Sequence, residues 1–161
     1  MNSKRQSDGF AMIEVLLAVV VLAIGLLAGS KMQLLGLNAT QGAMMRSHAT
    51  MAVNDIIDRM RINPDGVMAG EYDGASTDSP PADPGCINTG CTPAQLAQHD
   101  LRVWASYFGN AQGTDTAVAI HQAVGSIDVA PTSQVRTVAV TWEELVDGEV
   151  EVRSVSVGVR L

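Results

Sequence analysis

The chain has 161 residues, 47% of them hydrophobic and 17% charged, and a formal net charge of -7. This length allows one modest hydrophobic core and favours a single globular domain. The ten Lys and Arg residues are scattered along the chain. Because nucleic-acid binding needs basic residues clustered on one surface, the composition argues against a nucleic-acid partner.

A long apolar segment near the N-terminus contains one carboxylate. Residues 10–30 carry a single charge, that of Glu14, and their length is close to the ~20 residues that cross a bilayer as a helix. A charge at the bilayer centre costs roughly 2.5–3.5 kcal/mol, so Glu14 is a functional-site hypothesis. Lys4 and Arg5 precede the segment and no comparable cluster follows it. The positive-inside rule therefore predicts a cytoplasmic N-terminus, with the bulk of the chain on the outer side.

Three interpretations of this segment are open. It can be an uncleaved single-pass anchor, or a secretory signal cleaved after Ser30, because Ala28, Gly29 and Ser30 resemble a small-residue cleavage site. The third interpretation is cleavage after Gly9, which leaves the apolar helix on the mature protein. Only the third interpretation gives Glu14 a role, since a carboxylate is out of place inside a secretory signal.

A short basic leader followed by Gly9, Phe10, Glu14 and an apolar run resembles the class III signal of type IV prepilins. In that family a prepilin peptidase cuts after the glycine and methylates the new N-terminal residue. The resemblance implies a leader peptide at residues 1–9, which is removed, and a methylated Phe10. Glu14 then becomes the fifth residue of the mature chain.

The new amine at Phe10 is predicted to be the partner of Glu14 on a neighbouring subunit. An α-amine is substantially cationic at neutral pH, and a charge buried in lipid is tolerated chiefly when it is paired. The alternative is that Glu14 stays protonated or extends to the lipid interface. Gly25 and Gly29 stand at the Gly-x-x-x-Gly spacing that lets membrane helices pack closely. They are the candidate helix-packing residues.

The segment is predicted to continue as an amphipathic helix over residues 31–63. Pro64 biases Asn63 away from the helical region, so the helix should end near Ile62 or Asn63. The residues of its apolar face recur at helical spacing: Met45, Ala49, Ala52, Val53, Ile56 and Met60.

Residues 64–161 are predicted to form an outer α+β part. Residues 65–92 are typical of an irregular surface loop that carries Tyr72. Thr92 is a candidate N-cap, with Pro93 opening a helix to about Phe108. The apolar residues of that helix are its expected buried side: Leu96, Leu101, Trp104 and Phe108.

The two cysteines of the loop, Cys86 and Cys91, suit a disulfide, because the outer compartment of bacteria is oxidising. The closed loop is short, so the chain-entropy model gives a stabilisation of about 2 kcal/mol. Without a second pair of ligands, the two cysteines do not indicate a zinc site.

Three strands are predicted after this helix, over residues 116–124, 135–143 and 150–161. Asp147 and Gly148 form the expected turn between the last two strands. The apolar residues of the last strand change parity along its length, and this predicts a twist or bulge near Arg153. The expected fold is therefore α+β, a long N-terminal helix packed on a small antiparallel sheet, which is the architecture of pilins.

Two further passages narrow the resemblance to the PilV-type minor pilins, the type IV pilus modification proteins. The first is Asn-Asp-Ile-Ile-Asp-Arg-Met-Arg-Ile-Asn-Pro at residues 54–64, and the second is Cys91-Thr-Pro-Ala-Gln-Leu-Ala, followed by Asp100 and Trp104. The resemblance implies a structural subunit of the priming or tip complex of a type IV pilus, which supports twitching motility and adhesion. Its implied partners are other minor pilins, the major pilin, prepilin peptidase and the inner membrane, and its final location is the pilus.

The sequence gives no support for catalysis, a cofactor or a metal. His48, His99 and His121 are isolated, and no nucleophile motif or phosphate-binding glycine loop is present. A solvated hairpin explains the acidic residues 143–151 better than a Ca2+ site does. Two other functions stay open: a type II secretion pseudopilin, which shares the N-terminal features, and a secreted or membrane-anchored enzyme or binding domain.

Overall fold

A computed structural model of the protein describes residues 8–86, 90–109, 123–130, 134–146 and 149–161. The chain divides into two compact units, Met1–Gly42 and Ala43–Leu161, and the second is called the outer unit below. One continuous helix, α1 (Asp8–Ile62), contributes to both units. The helices and the antiparallel sheet of the second unit give the predicted α+β fold.

The outer part of α1 buries one face, and its residues are those that the helical spacing predicts. Ala49, Val53, Ile56 and Met60 have no exposed surface, Ala52 is 4% exposed, and Met45 packs at the margin of the core. The helix ends at Ile62, where Pro64 restricts the residue before it. Both the apolar face and the end of the helix are therefore confirmed.

The predicted surface loop, residues 65–92, needs correction over residues 65–79, because this stretch begins with a helix and packs several side chains into the core. A short helix, α2 (Pro64–Met68), follows α1 directly, and Asn63 accepts a hydrogen bond from the Gly66 N–H as its N-cap. Val67, Tyr72 and Thr77 are buried. The polar and small residues of this stretch are typical of a loop. They are folded here because their backbone groups hydrogen-bond to a strand about 50 residues later in the chain.

The third helix, α3 (Pro93–Ser106), begins where the sequence predicts and ends two residues before Phe108. Thr92 and Gln95 form a capping box, in which each side chain bonds the other residue's backbone N–H. Leu101, Trp104 and Phe108 are buried as expected. Leu96 is half-buried, and Ala97 and Asp100 are buried in addition.

Three antiparallel strands form one sheet in the order β1-β2-β3: β1 (Ala123–Val129), β2 (Val135–Val146) and β3 (Glu149–Arg160). Val138, Val140 and Trp142 of β2 point into the core. Trp104 of α3 also lies in this core, and its indole N–H donates to the Ala52 carbonyl at 2.9 Å. The long helix, α3 and the sheet thus share one hydrophobic cluster.

Two strand predictions need correction. The first predicted strand ends at Val124, whereas β1 continues to Val129; residues 116–122 lie outside the described residues. The register of β2 with β3 is uninterrupted from Val135↔Arg160 to Val146↔Glu149, so the predicted bulge near Arg153 is wrong. The apolar residues change parity for another reason, which is that Val150 and Val152 do not belong to the core: they are 63% and 67% exposed. Asp147 and Gly148, the predicted turn, lie outside the described residues.

Candidate functional site: the apolar helix and the polar cluster of the outer unit

In the first unit, residues 12–30 of α1 are exposed and carry one charge, that of Glu14. This segment is called the apolar helix below. Leu16, Leu22 and Leu27 are 64%, 65% and 72% exposed. Within the described residues, one helix is long and apolar enough to cross a membrane, and it is α1. A surface of this composition is stable only against lipid or other apolar helices.

Glu14 is exposed on this apolar helix. Among the described residues it takes part in none of the ion pairs, and the next cation along α1 is Lys31. At 1.5 Å per residue those two positions are roughly 25 Å apart along the helix axis. No described residue of the chain therefore neutralises Glu14. Gly9 and Phe10 belong to the first turns of α1, and their side-chain surroundings lie outside the description.

Gly25 and Gly29 lie one helical turn apart on the same exposed segment. A Cβ atom at either position would meet no heavy atom within 4 Å. The absence of side chains at these two positions leaves a shallow recess on α1, where the backbone of another helix can approach closely.

Four residues of the outer unit form a polar cluster: Asn63, Tyr72 and Asp100, which are buried, and Arg59, which is half-buried. The Tyr72 hydroxyl donates to Asp100 Oδ2 at 2.7 Å, and the Asn63 amide donates to the Tyr72 hydroxyl at 3.0 Å. Arg59 Nη1 lies 3.3 Å from Asp100 Oδ1. The polar cluster joins the end of α1 to the segment after α2 and to α3.

The electrostatics of the polar cluster favour a neutral phenol and a charged guanidinium. Burial raises the pKa of Tyr72 well above its ordinary value, and its hydrogen bond to Asp100 raises this pKa further. Burial by itself lowers the pKa of Arg59, but the hydrogen bonds and charges of Asp55 and Asp100 outweigh it and raise this pKa overall. Asp55 Oδ2 accepts from Arg59 Nε at 2.8 Å. The cluster is thus charge-balanced and hydrogen-bonded, as buried polar groups must be.

Sequence reasoning missed the role of Tyr72 and that of Arg136. Arg136 is 8% exposed; its Nη2 donates to the Val67 carbonyl at 2.7 Å, and its Nε donates to Asp73 Oδ1 at 2.8 Å. The sequence contains one indication of the role of Arg136, because this residue has the same parity along the strand as the core residues Val138 and Val140. An arginine on the core face of a strand needs a buried acceptor, and Val67 and Asp73 provide acceptors.

Cys86 and Cys91 form the predicted disulfide, with their Cα atoms 5.1 Å apart. It lies just before the capping box of α3, so it restricts the chain locally. Within the described residues, no group of three or more His, Cys, Asp or Glu side chains is arranged to hold a metal ion.

Two family models match the chain, and the matches adjoin each other. The prokaryotic N-terminal methylation motif matches residues 4–30, and the type IV pilin Tt1218 family matches residues 31–102. The chain is a type IV prepilin. No curated protein and no solved structure matches it significantly.

Each match contains a different group of the structural features described above. The methylation motif includes Gly9, Phe10, Glu14 and the open glycines of the apolar helix, and the pilin match includes the whole polar cluster. The prepilin is therefore a structural subunit of type IV pili, and its apolar helix is a membrane anchor.

Proposed function

We propose that this prepilin is the precursor of a minor pilin of the PilV type. It acts in the priming or tip complex of a type IV pilus and so supports twitching motility and adhesion. The exposed apolar helix that carries Glu14 without a partner in the described chain supports a role in assembly. The PilV type is supported by the two PilV-like passages, because they contact each other: Arg59 of the first donates to Asp100 of the second, and the Asn63 amide of the first donates to the Pro93 carbonyl of the second.

Processing is the first step of this function. Prepilin peptidase cuts between Gly9 and Phe10 and methylates Phe10. The basic leader keeps the N-terminus on the cytoplasmic side of the inner membrane, and the outer unit lies in the periplasm before it reaches the pilus.

Assembly is the second step. Glu14 of one subunit pairs with the Phe10 amine of a neighbouring pilin, and the pair fixes the axial register because either charge is costly alone in an apolar environment. Gly25 and Gly29 let the neighbouring helix approach at that register.

Mass spectrometry of the mature N-terminus tests the processing step directly. A chain that begins with N-methylated Phe10 is the expected result. A mature chain that begins at Lys31 would show an ordinary secretory signal and would end the proposal.

The phenotype of a deletion strain tests which assembly contains the protein. Loss of surface pili and of twitching motility is expected, with restoration by the wild-type gene as the control. Loss of protein secretion with normal pili would instead identify a type II secretion pseudopilin.

A further inference from the structure

Residues 36–42 of α1 combine several residues that weaken a helix. Gly36 and Gly42 stand at the two ends of this segment, and Asn38 and Thr40 lie between them. Glycine is the poorest helix former after proline, and Asn and Thr rank below the straight-chain residues. The segment is helical in the structure, but its own sequence contributes little to keeping it so.

The packing of the same segment does not offset this weakness. Residues 36–41 are exposed, and a Cβ atom at Gly36 would meet no heavy atom within 4 Å. Along the described part of α1, Met45 is the first residue that packs on the hydrophobic core. Helices in proteins owe most of their stability to the packing of an apolar face, and residues 36–41 bury no such face.

Both flanks of the segment are held more firmly. The apolar helix, residues 12–30, has the composition of a membrane span, and in lipid the backbone groups must stay paired within the helix. On the other side, Ala49, Val53 and Ile56 have no exposed surface. Water can hydrogen-bond freed backbone groups at an exposed segment, so opening of α1 costs least at residues 36–42.

We infer that residues 36–42 are a hinge of α1, where the helix opens locally and the anchored chain bends just beyond its membrane span. The two flanks stay helical, because opening them would expose backbone groups to lipid or remove side chains from the core. The inference goes beyond the proposed function, since it concerns the anchored chain before any assembly.

Hydrogen–deuterium exchange of the full chain in lipid nanodiscs tests the hinge. After correction for intrinsic rates, the amides of residues 40–42 are expected to exchange roughly tenfold or more faster than those of residues 53–56, which belong to the packed part of the same helix. Electron-transfer fragmentation in the mass spectrometer resolves the two groups. Equal rates for the two groups would overturn the inference.

Two substitutions change the helix propensity of the hinge in opposite directions. Gly36→Ala should slow the exchange of residues 40–42 by roughly fivefold, and Ala39→Gly should speed it by a similar factor. Both positions are exposed, so neither change alters the core. Thr50→Ala, at an exposed position of α1 in the outer unit, is the matched control and should leave these rates unchanged. Rates that respond to neither glycine change would contradict a hinge set by helix propensity.

A pair of spin labels measures the bending itself. Gln33→Cys and Asn54→Cys place labels at exposed positions on either side of the hinge, and the native cysteines do not react because they form a disulfide. A straight helix separates the two positions by about 32 Å. We expect a broad distribution of distances that extends to shorter values and that Gly36→Ala narrows. A single narrow distance near that of the straight helix would refute the hinge.

Discussion

The hydroxyl of Tyr72 lies between Asn63 at the end of α1 and Asp100 in α3, and each of these contacts is a hydrogen bond. Tyr72→Phe removes the donor to a buried carboxylate. Hydrogen bonds to charged groups contribute about 1.5–3 kcal/mol, so we expect a loss of this size in the free energy of unfolding. Urea unfolding of the detergent-solubilised chain, followed by the fluorescence of Trp104 and Trp142, measures it. Tyr107→Phe is the control, because no hydrogen bond of the Tyr107 hydroxyl links it to another described residue.

The raised pKa of Tyr72 also predicts a dependence on alkaline pH. The fold favours the protonated phenol, so its contribution to stability is complete below the ordinary tyrosine pKa near 10 and is lost as the pH rises further. The wild-type protein should therefore lose stability above about pH 10, and Tyr72→Phe should lose less over the same range. Parallel alkaline titrations of the unfolding midpoint compare the two proteins, and identical slopes would show that Tyr72 is not the group involved.

Gly125 of β1 is required for the packing of a tryptophan. A Cβ at this position would lie 2.5 Å from the Trp104 ring, and a buried indole ring cannot move aside freely. Overpacking of this kind costs about 1–3 kcal/mol, so Gly125→Ala should lower the free energy of unfolding by that amount. Gly158→Ala in β3 is a matched control, since the nearest atom to its Cβ is Val135 Cγ1 at 3.4 Å. Equal urea midpoints for the two variants would contradict the packing argument.

Among the elements, α3 depends on its N-terminal cap for a defined start. The Thr92 hydroxyl accepts from the Gln95 N–H, and the Gln95 side chain accepts from the Thr92 N–H. Thr92→Ala breaks this exchange and should cost about 1 kcal/mol. Thr50→Ala, at an exposed position inside α1, should be nearly neutral because alanine has the higher helix propensity. Urea denaturation of the two variants checks the difference.

Periodic elements could be predicted from the sequence, whereas the covered edge of the sheet could not. The apolar face of α1 and the core face of β2 follow from spacings of four or fewer residues, which local sequence contains. Residues 74–77 instead pair with β1 across about 50 residues of chain, and their Gly, Ser and Thr content is also typical of a free loop. The sequence predicts Tyr72 on a surface loop for the same reason, because Asp100, which accepts its hydrogen bond, lies 28 residues away.

At the scale of the whole molecule, we propose that Glu14 connects the fold of one chain to its assembly with others. The outer unit satisfies its buried charges internally, as Arg59 with Asp100 and Arg136 with Asp73 show. The apolar helix does not, since Glu14 has no described partner. This contrast places the unmet electrostatic requirement in the membrane-anchoring segment, which is the segment that the proposed assembly brings against neighbouring pilins.

Glu14→Ala should therefore separate processing from assembly. Cleavage after Gly9 is expected to continue, because the cut lies outside the apolar run, and mass spectrometry of the mature chain checks it. Loss of one partner from a buried ion pair costs about 3–5 kcal/mol, so incorporation into sheared pili should fall by roughly a hundredfold or more. Glu71→Ala, a change of the same charge in the outer unit, should incorporate normally. Glu14 also lies one helical turn from Phe10 of its own chain, but only a pair with a neighbour links it to incorporation. Wild-type levels of Glu14→Ala in pili would thus refute the intersubunit pair.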